Sequence, residues 1–126
     1  MTKNFSSFEP STPVGGVEIA VWQYDTSVAV SLAGVLDRRS SGRVFDLMAA
    51  LAGGAHQTIW VHVEGLTEVT RAGMRGLIVA AAMQKSAGRG FCIVGARPEI
   101  AAALSATGFR YLLTLSGRSG APDPQD

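Results

Sequence analysis

Few side chains in this 126-residue chain could carry out acid–base or nucleophilic chemistry. There are two histidines, His56 and His62, and either could act as a general base. The single cysteine, Cys92, excludes an intrachain disulfide, favours a reducing compartment and argues against a Cys/His zinc site.

The ten acidic residues show no spacing typical of metal ligands or of a catalytic acid/base pair. Motifs for phosphate-binding loops, dinucleotide binding and serine hydrolysis are missing. We therefore predict a binding or signalling protein, not an enzyme, with no metal and no cofactor.

The strongest candidate for a functional position is the hydroxyl of Thr70 beside the charge of Arg71. Residues 59–63 alternate in the period-2 pattern of a strand, and residues 74–81 carry an apolar stripe at helical spacing. A short loop between them would place Thr70 at the start of a helix, where free N–H groups favour a hydroxyl N-cap. Arg71 would then put a positive charge in the first helical turn, at a cost of about 0.3–1 kcal/mol unless it is paired.

Strand and turn patterns place these residues in an α/β framework. The first two strands are expected as an antiparallel hairpin around a turn at residues 24–26. The last apolar segment, residues 109–115, fits either a short helix or an edge strand. Helices alternate with strands after the hairpin, which favours a mixed, partly parallel sheet of four to five strands. The predicted strands are 17–22, 27–33, 59–63 and 91–94.

Three helices follow from the apolar spacing and the capping residues. The first is expected to be capped by Ser40 or Ser41 and to end at Gly53 and Gly54 with a left-handed glycine. The second should run from the neighbourhood of Thr70 to Gly88. The third should have Pro98 in its first turn and end at Gly108.

Composition limits the class of partner and the location. Hydrophobic residues make up 47% of the chain and the formal net charge is +1, so we expect a packed core and no binding to nucleic acid or to an anionic membrane. The longest apolar run, residues 77–83, is too short for direct membrane insertion, and residues 1–15 lack an apolar signal segment. We expect a soluble, cytoplasmic protein with one domain at 16–116, a flexible leader at 1–15 and a disordered tail at 117–126.

Four segments together resemble the STAS domain family, which includes bacterial anti-sigma factor antagonists and the cytoplasmic tails of sulfate transporters. They are SLAGVLD (31–37), IWVHVEGLTEVTRAGMRGL (59–77), GRGFCIVGARPEI (88–100) and LSATGFRYLLTL (104–115). The resemblance implies a small mixed sheet with helices packed mainly on one face. It also implies a non-catalytic regulator that binds an anti-sigma factor or kinase-like protein.

The residues before the second helix depart from the family pattern. In the antagonist branch this loop reads Asp-Ser-Ser-Gly-Leu, and a partner that is both kinase and anti-sigma factor phosphorylates the first serine and so breaks the complex. Here Thr70 stands at the aspartate, Arg71 at the phospho-acceptor and Ala72 at the second serine, while Gly73 is kept. Arginine has no hydroxyl to accept the phosphoryl group that the serine takes, so the resemblance implies partner binding without the usual switch.

The resemblance also suggests which residues form the binding surface. Thr70 remains either an N-cap or a phospho-acceptor, and we expect Asp37 to lie close enough to Arg71 to offset its charge. An alternative is an accessory subunit of a transporter or signalling complex that senses a ligand or anion, since free N–H groups beside Arg71 suit an anion. A homodimer is compatible with either. The predicted partner-binding residues are Asp37, Thr67, Thr70, Arg71, Gly73 and Arg75.

Overall fold

A six-stranded mixed sheet, in which the strands are neighbours in their chain order, forms the framework. The computed structural model describes residues 16–106 and, outside that range, only the strand backbone at 4–5 and 114–116. The strands are β1 (Asn4–Phe5), β2 (Val17–Gln23), β3 (Ser27–Leu36), β4 (Thr58–Val69), β5 (Gly90–Val94) and β6 (Thr114–Ser116). The helices are α1 (Arg38–Ala52), α2 (Arg75–Ser86) and α3 (Pro98–Ser105).

The pairing of the strands confirms the predicted α/β class. β2 and β3 form the expected antiparallel hairpin, closed by a 2.9 Å hydrogen bond from Tyr24 N to Ser27 O. β3, β4, β5 and β6 are parallel neighbours, and along the chain α1, α2 and α3 lie between the successive pairs. Because such crossovers are right-handed and the strand order advances in one direction, the three helices lie on one face of the sheet.

Two short edge strands raise the strand count above the predicted four to five. β1 pairs antiparallel with Trp22 and Gln23 of β2, a contact that we did not predict for the leader segment. β6 pairs parallel with β5. The sequence allowed either a short helix or an edge strand at residues 109–115, and the end of that segment is an edge strand. The rest of the predicted leader at 1–15 and the predicted tail at 117–126 lie outside the described residues. So do residues 107–113, which include the expected end of the third helix at Gly108.

The hydrophobic core joins the helices to the covered face of the sheet. The predicted stripe of α1, from Val44 to Leu51, is buried there together with Leu77 of α2. Gly76 brings α1 and α2 into close contact, since an added Cβ would lie 2.7 Å from Phe45 Cα. The strand residues in this core include Val28, Val30, Leu32, Ile59, Val61, Val63 and Ile93.

The ends of α1 differ from the prediction. Its N-cap is Asp37, whose Oδ1 accepts from Arg39 N at 3.0 Å, and not Ser40 or Ser41. Ser40 is instead the third helical residue, and its buried Oγ accepts from Asp37 N at 3.1 Å, which completes a capping box. Gly53 has φ −77°, so the expected left-handed glycine is also wrong at this end. Gly88 after α2 does have a left-handed φ of +74°.

The third predicted strand is longer than expected. β4 continues from Val63 to Val69, and β3 continues to Leu36, so the segment interpreted as a loop is strand. Two register shifts, between Ser31 and Ala33 and between Gly34 and Val35, interrupt the pairing of these strands. Such irregularities break the period-2 alternation, which is why the sequence pattern did not reveal the extension.

Replacement of Gly76 by alanine is expected to destabilise the chain by about 1–3 kcal/mol, because the added Cβ would press on the Phe45 backbone. Gly42→Ala is the matched control, since a Cβ at that position of α1 meets nothing within 4 Å. It should stabilise the helix by about 0.5–1 kcal/mol. Urea unfolding measures both changes, and a Gly76→Ala variant as stable as wild type would contradict the close helix contact.

Candidate functional site

The C-terminal ends of β3 and β4 meet at the N-terminal ends of α1 and α2. We call this region, formed by Leu36–Asp37 and Thr70–Arg75, the helix-start corner. Thr70 N donates to Leu36 O at 2.9 Å, which joins the two strand ends. Gly73 packs directly on the same backbone, because an added Cβ would clash with the Leu36 carbonyl and lie 2.8 Å from Asp37 N. Only glycine fits there, which explains physically why this position of the family motif is kept.

Thr70 caps a turn that precedes α2, not the helix itself. Its Oγ1 accepts from Gly73 N at 3.1 Å, and its carbonyl accepts from Met74 N at 3.1 Å. Residues 71–74 form this turn, and α2 begins at Arg75 with no side-chain cap on Met74. The expected helix start at Thr70 is therefore wrong, although its hydroxyl makes the hydrogen bond expected of a cap. The extra turn carries Met74, which is 2% exposed, into the core.

Arg71 and Arg75 are exposed at the helix-start corner. Arg71 lies in the turn before α2 and not in the helix. The predicted free-energy cost of a cation in the first helical turn therefore does not arise for Arg71. The Arg75 guanidinium lies over the Phe45 ring, 4.9 Å from its centroid, a distance typical of a cation–π contact. Arg71 also borders a cavity of about 240 Å³, and among the described residues Val69, Met74, Ala103 and Ala106 line it as well.

The predicted ion pair between Asp37 and Arg71 is wrong. The Asp37 carboxylate faces Arg39, with Oδ2 3.5 Å from Arg39 Nη2, while its Oδ1 caps α1. Among the ion pairs of residues 16–106, none includes Arg71. The reason is that the first turn of α1 supplies both a backbone donor and a nearer cation for Asp37.

The other predicted residue, Thr67, lies on the extended part of β4. Its Oγ1 donates to Gly34 O of β3 at 3.1 Å, so the side chain ties the two strands together while it remains exposed. The structure therefore brings Asp37, Thr70 and Gly73 into backbone contact and leaves Arg71 and Arg75 exposed beside them. Sequence reasoning missed Arg38 and Arg39, two exposed cations at the same corner, although their position directly after Asp37 was a visible signal.

The residues first considered for catalysis lie elsewhere. His62 is 2% exposed within the sheet, with Nδ1 3.6 Å from Glu64 Oε1. Burial lowers the pKa of His56 and raises the pKa of the Cys92 thiol, which disfavours an imidazolium and a thiolate respectively. Within the described ranges, no group of three or more His, Cys, Asp or Glu could hold a metal ion. The longest helix of the described chain, α1, has 15 residues, and none is long and apolar enough to cross a membrane.

A family model described as "Mlab, STAS domain" matches residues 19–114. The chain belongs to the STAS domain family. The match covers β2 to the start of β6 and therefore includes the helix-start corner. A search of curated proteins found no significant match.

Solved structures show the same fold. An anti-sigma factor antagonist from Mycobacterium paratuberculosis is 18% identical with a TM-score of 0.66, over 79% of this chain and 84% of that chain. The phosphorylated form of SpoIIAA, a Bacillus cell fate determinant, is 14% identical with a TM-score of 0.62, over 78% and 90%. Moorella thermoacetica RsbS with a serine-to-glutamate substitution is 20% identical with a TM-score of 0.63, over 78% and 85%. At such identities the likeness shows the STAS fold that anti-sigma factor antagonists share.

The capping role of Asp37 predicts a clear difference between two substitutions. Asp37→Ala should lower the free energy of unfolding by about 1 kcal/mol through loss of the cap, whereas Asp37→Asn keeps an acceptor and should stay close to wild type. Arg71→Gln should change stability by less than about 0.5 kcal/mol, because exposed sites without special contacts tolerate substitution. Chemical denaturation tests all three. Losses for Asp37→Asn and Arg71→Gln that both approach the loss for Asp37→Ala would support the rejected ion pair.

Proposed function

We propose that this STAS domain is a non-catalytic regulator that binds an anti-sigma factor or kinase-type protein through the helix-start corner. The binding module spans residues 16–116 and acts in the cytoplasm. The family match and the shared fold of anti-sigma factor antagonists support this role. Asp37, Thr67, Thr70, Arg71 and Arg75 form the binding surface, and the buried Gly73 holds the turn that presents it.

The observation that carries the proposal is the exposed Arg71 on the turn before α2. It stands at the position that the family motif gives to the phospho-acceptor serine. An arginine there has a permanent charge and no hydroxyl, so a kinase that phosphorylates serine finds no acceptor oxygen at this position. The neighbouring Thr70 hydroxyl already accepts a hydrogen bond from Gly73 N and is only partly exposed. The complex therefore lacks the release step that phosphorylation provides and is regulated by other means.

A second candidate is anion or ligand sensing at the same corner, as an accessory STAS subunit. The cavity of about 240 Å³ beside Arg71 favours it, because a guanidinium at the rim of a small cavity can hold an anion. Inorganic phosphate or a nucleotide far above its dissociation constant should then raise the unfolding temperature. An unchanged temperature in the presence of these compounds speaks against this candidate.

Reconstitution with an ATPase-kinase anti-sigma factor from the same genome tests the proposed function. Wild-type chain should co-elute with that protein on gel filtration, stay bound after ATP is added, and gain no phosphoryl mass. The double variant Thr70→Asp/Arg71→Ser restores the acidic-hydroxyl pair of the family motif. It should acquire one phosphoryl group at residue 71 and leave the complex, because the added charge of about −1.5 to −2 disrupts a packed interface.

Lys85→Ser is the matched control for this experiment. It introduces an exposed serine in place of a cation near the other end of α2 and should behave as wild type. Phosphate mapped to Thr70 of the wild-type chain would show that a switch survives. Failure of wild type to bind any kinase-type anti-sigma factor of its genome would reject the proposed function.

A further inference from the structure

Four exposed arginines surround the helix-start corner. Arg38 and Arg39 begin α1, Arg71 lies on the turn, and Arg75 begins α2. We call these four residues the cationic rim. The carboxylates near this end include Asp37, which faces Arg39, and the exposed Glu68, and the exposed Glu99 lies in the first turn of α3 at the same edge of the sheet. The rim therefore holds an excess of positive charge, and the two helix N-termini add to it.

The guanidinium groups of Arg71 and Arg75 can both contact a partner, Arg71 as an exposed cation and Arg75 as one held over an aromatic ring. No carboxylate among residues 16–106 forms an ion pair with Arg71. Arg75 stacks on Phe45, which restricts the motion of its guanidinium while the residue stays exposed. A guanidinium that is already held in place loses less side-chain entropy on binding. Both groups can therefore receive carboxylates of a bound protein.

A cavity lined by Arg71 and by apolar side chains lies next to this charge. Val69 and Met74, which are 9% and 2% exposed, contribute buried side chains, and Ala103 and Ala106 leave room because their side chains are small. The volume of about 240 Å³ suits one large aliphatic or aromatic side chain. Protein interfaces commonly place an apolar anchor in such a cavity inside a charged rim.

We infer that the partner binds this corner with an acidic segment in which carboxylates flank one large apolar residue. The inference rests on the proposed function and specifies the chemistry of the partner surface. The apolar residue enters the cavity beside Arg71, and the carboxylates pair with Arg71 and Arg75. A basic partner surface is excluded, because like charges across an interface are strongly unfavourable.

Selection of displayed random peptides against the full chain tests this inference without any anti-sigma factor. Peptides retained by wild type should be enriched in Asp and Glu beside Leu, Ile, Met or Phe. Peptides retained by the Arg71→Glu/Arg75→Glu variant should be enriched in Lys and Arg instead. Fluorescence anisotropy of the wild-type peptides should show a loss of affinity of about tenfold with Arg71→Glu, and a weaker affinity at high salt.

Two further variants locate the binding site. Lys85→Glu, a matched charge reversal near the other end of α2, should change the affinity less than about twofold, as expected for a charge outside the interface. Ala106→Leu should reduce binding by filling the cavity. Unchanged unfolding temperatures show that each variant is folded. The inference is overturned if the peptides retained by wild type are not enriched in Asp and Glu. It is also overturned if Lys85→Glu lowers the affinity for these peptides while Arg71→Glu leaves it unchanged. The proposed function is tested separately, by the reconstitution with a kinase-type anti-sigma factor.

Discussion

The contact between the backbone of Gly73 and the end of β3 is the constraint on which the helix-start corner depends. The Leu36 carbonyl accepts from Thr70 N and lies so close to Gly73 that no side chain fits between them. This contact fixes the turn at residues 71–74, and the turn carries Met74 into the core. Gly73 and Met74 are buried by this turn. Arg71, which directly follows Thr70 in the chain, is left at the surface. The position that the proposed function equates with the family's phospho-acceptor is thus exposed to solvent as a result of this packing.

The helix-start corner also explains why an arginine is tolerated there. Because the turn displaces the start of α2 to Arg75, the charge of Arg71 lies outside the helix, and Asp37 is not needed to neutralise it. Asp37 stabilises α1 instead, through its hydrogen bond to Arg39 N and the reciprocal bond from Asp37 N to Ser40 Oγ. A change from a phospho-acceptor to a cation can therefore occur at this position while the fold is kept, which would alter regulation without loss of the docking surface.

Much of the fold could be predicted from the sequence, because strand alternation and helical spacing are local signals. The hairpin and the stripe of α1 followed from residues such as Val28 and Val44, and the alternation of helices with strands indicated a partly parallel sheet. The extension of β4 to Val69 could not be predicted, since the shifted register with β3 hides its alternation. The site could be predicted only as a region. Its residues come from the ends of two parallel strands, and the partner of Asp37 was decided by a capping geometry that spacing alone does not reveal.

Hydrogen–deuterium exchange of the full chain, with and without a bound kinase-type anti-sigma factor, tests the central claim most directly. The claim is that the helix-start corner is the docking surface. Binding should slow amide exchange at residues 36–39 and 67–75, because a bound partner hinders the local opening through which these amides exchange. Residues 82–89, at the far end of α2, should exchange at an unchanged rate. Protection confined to the far end of α2, with the corner unaffected, would contradict the account.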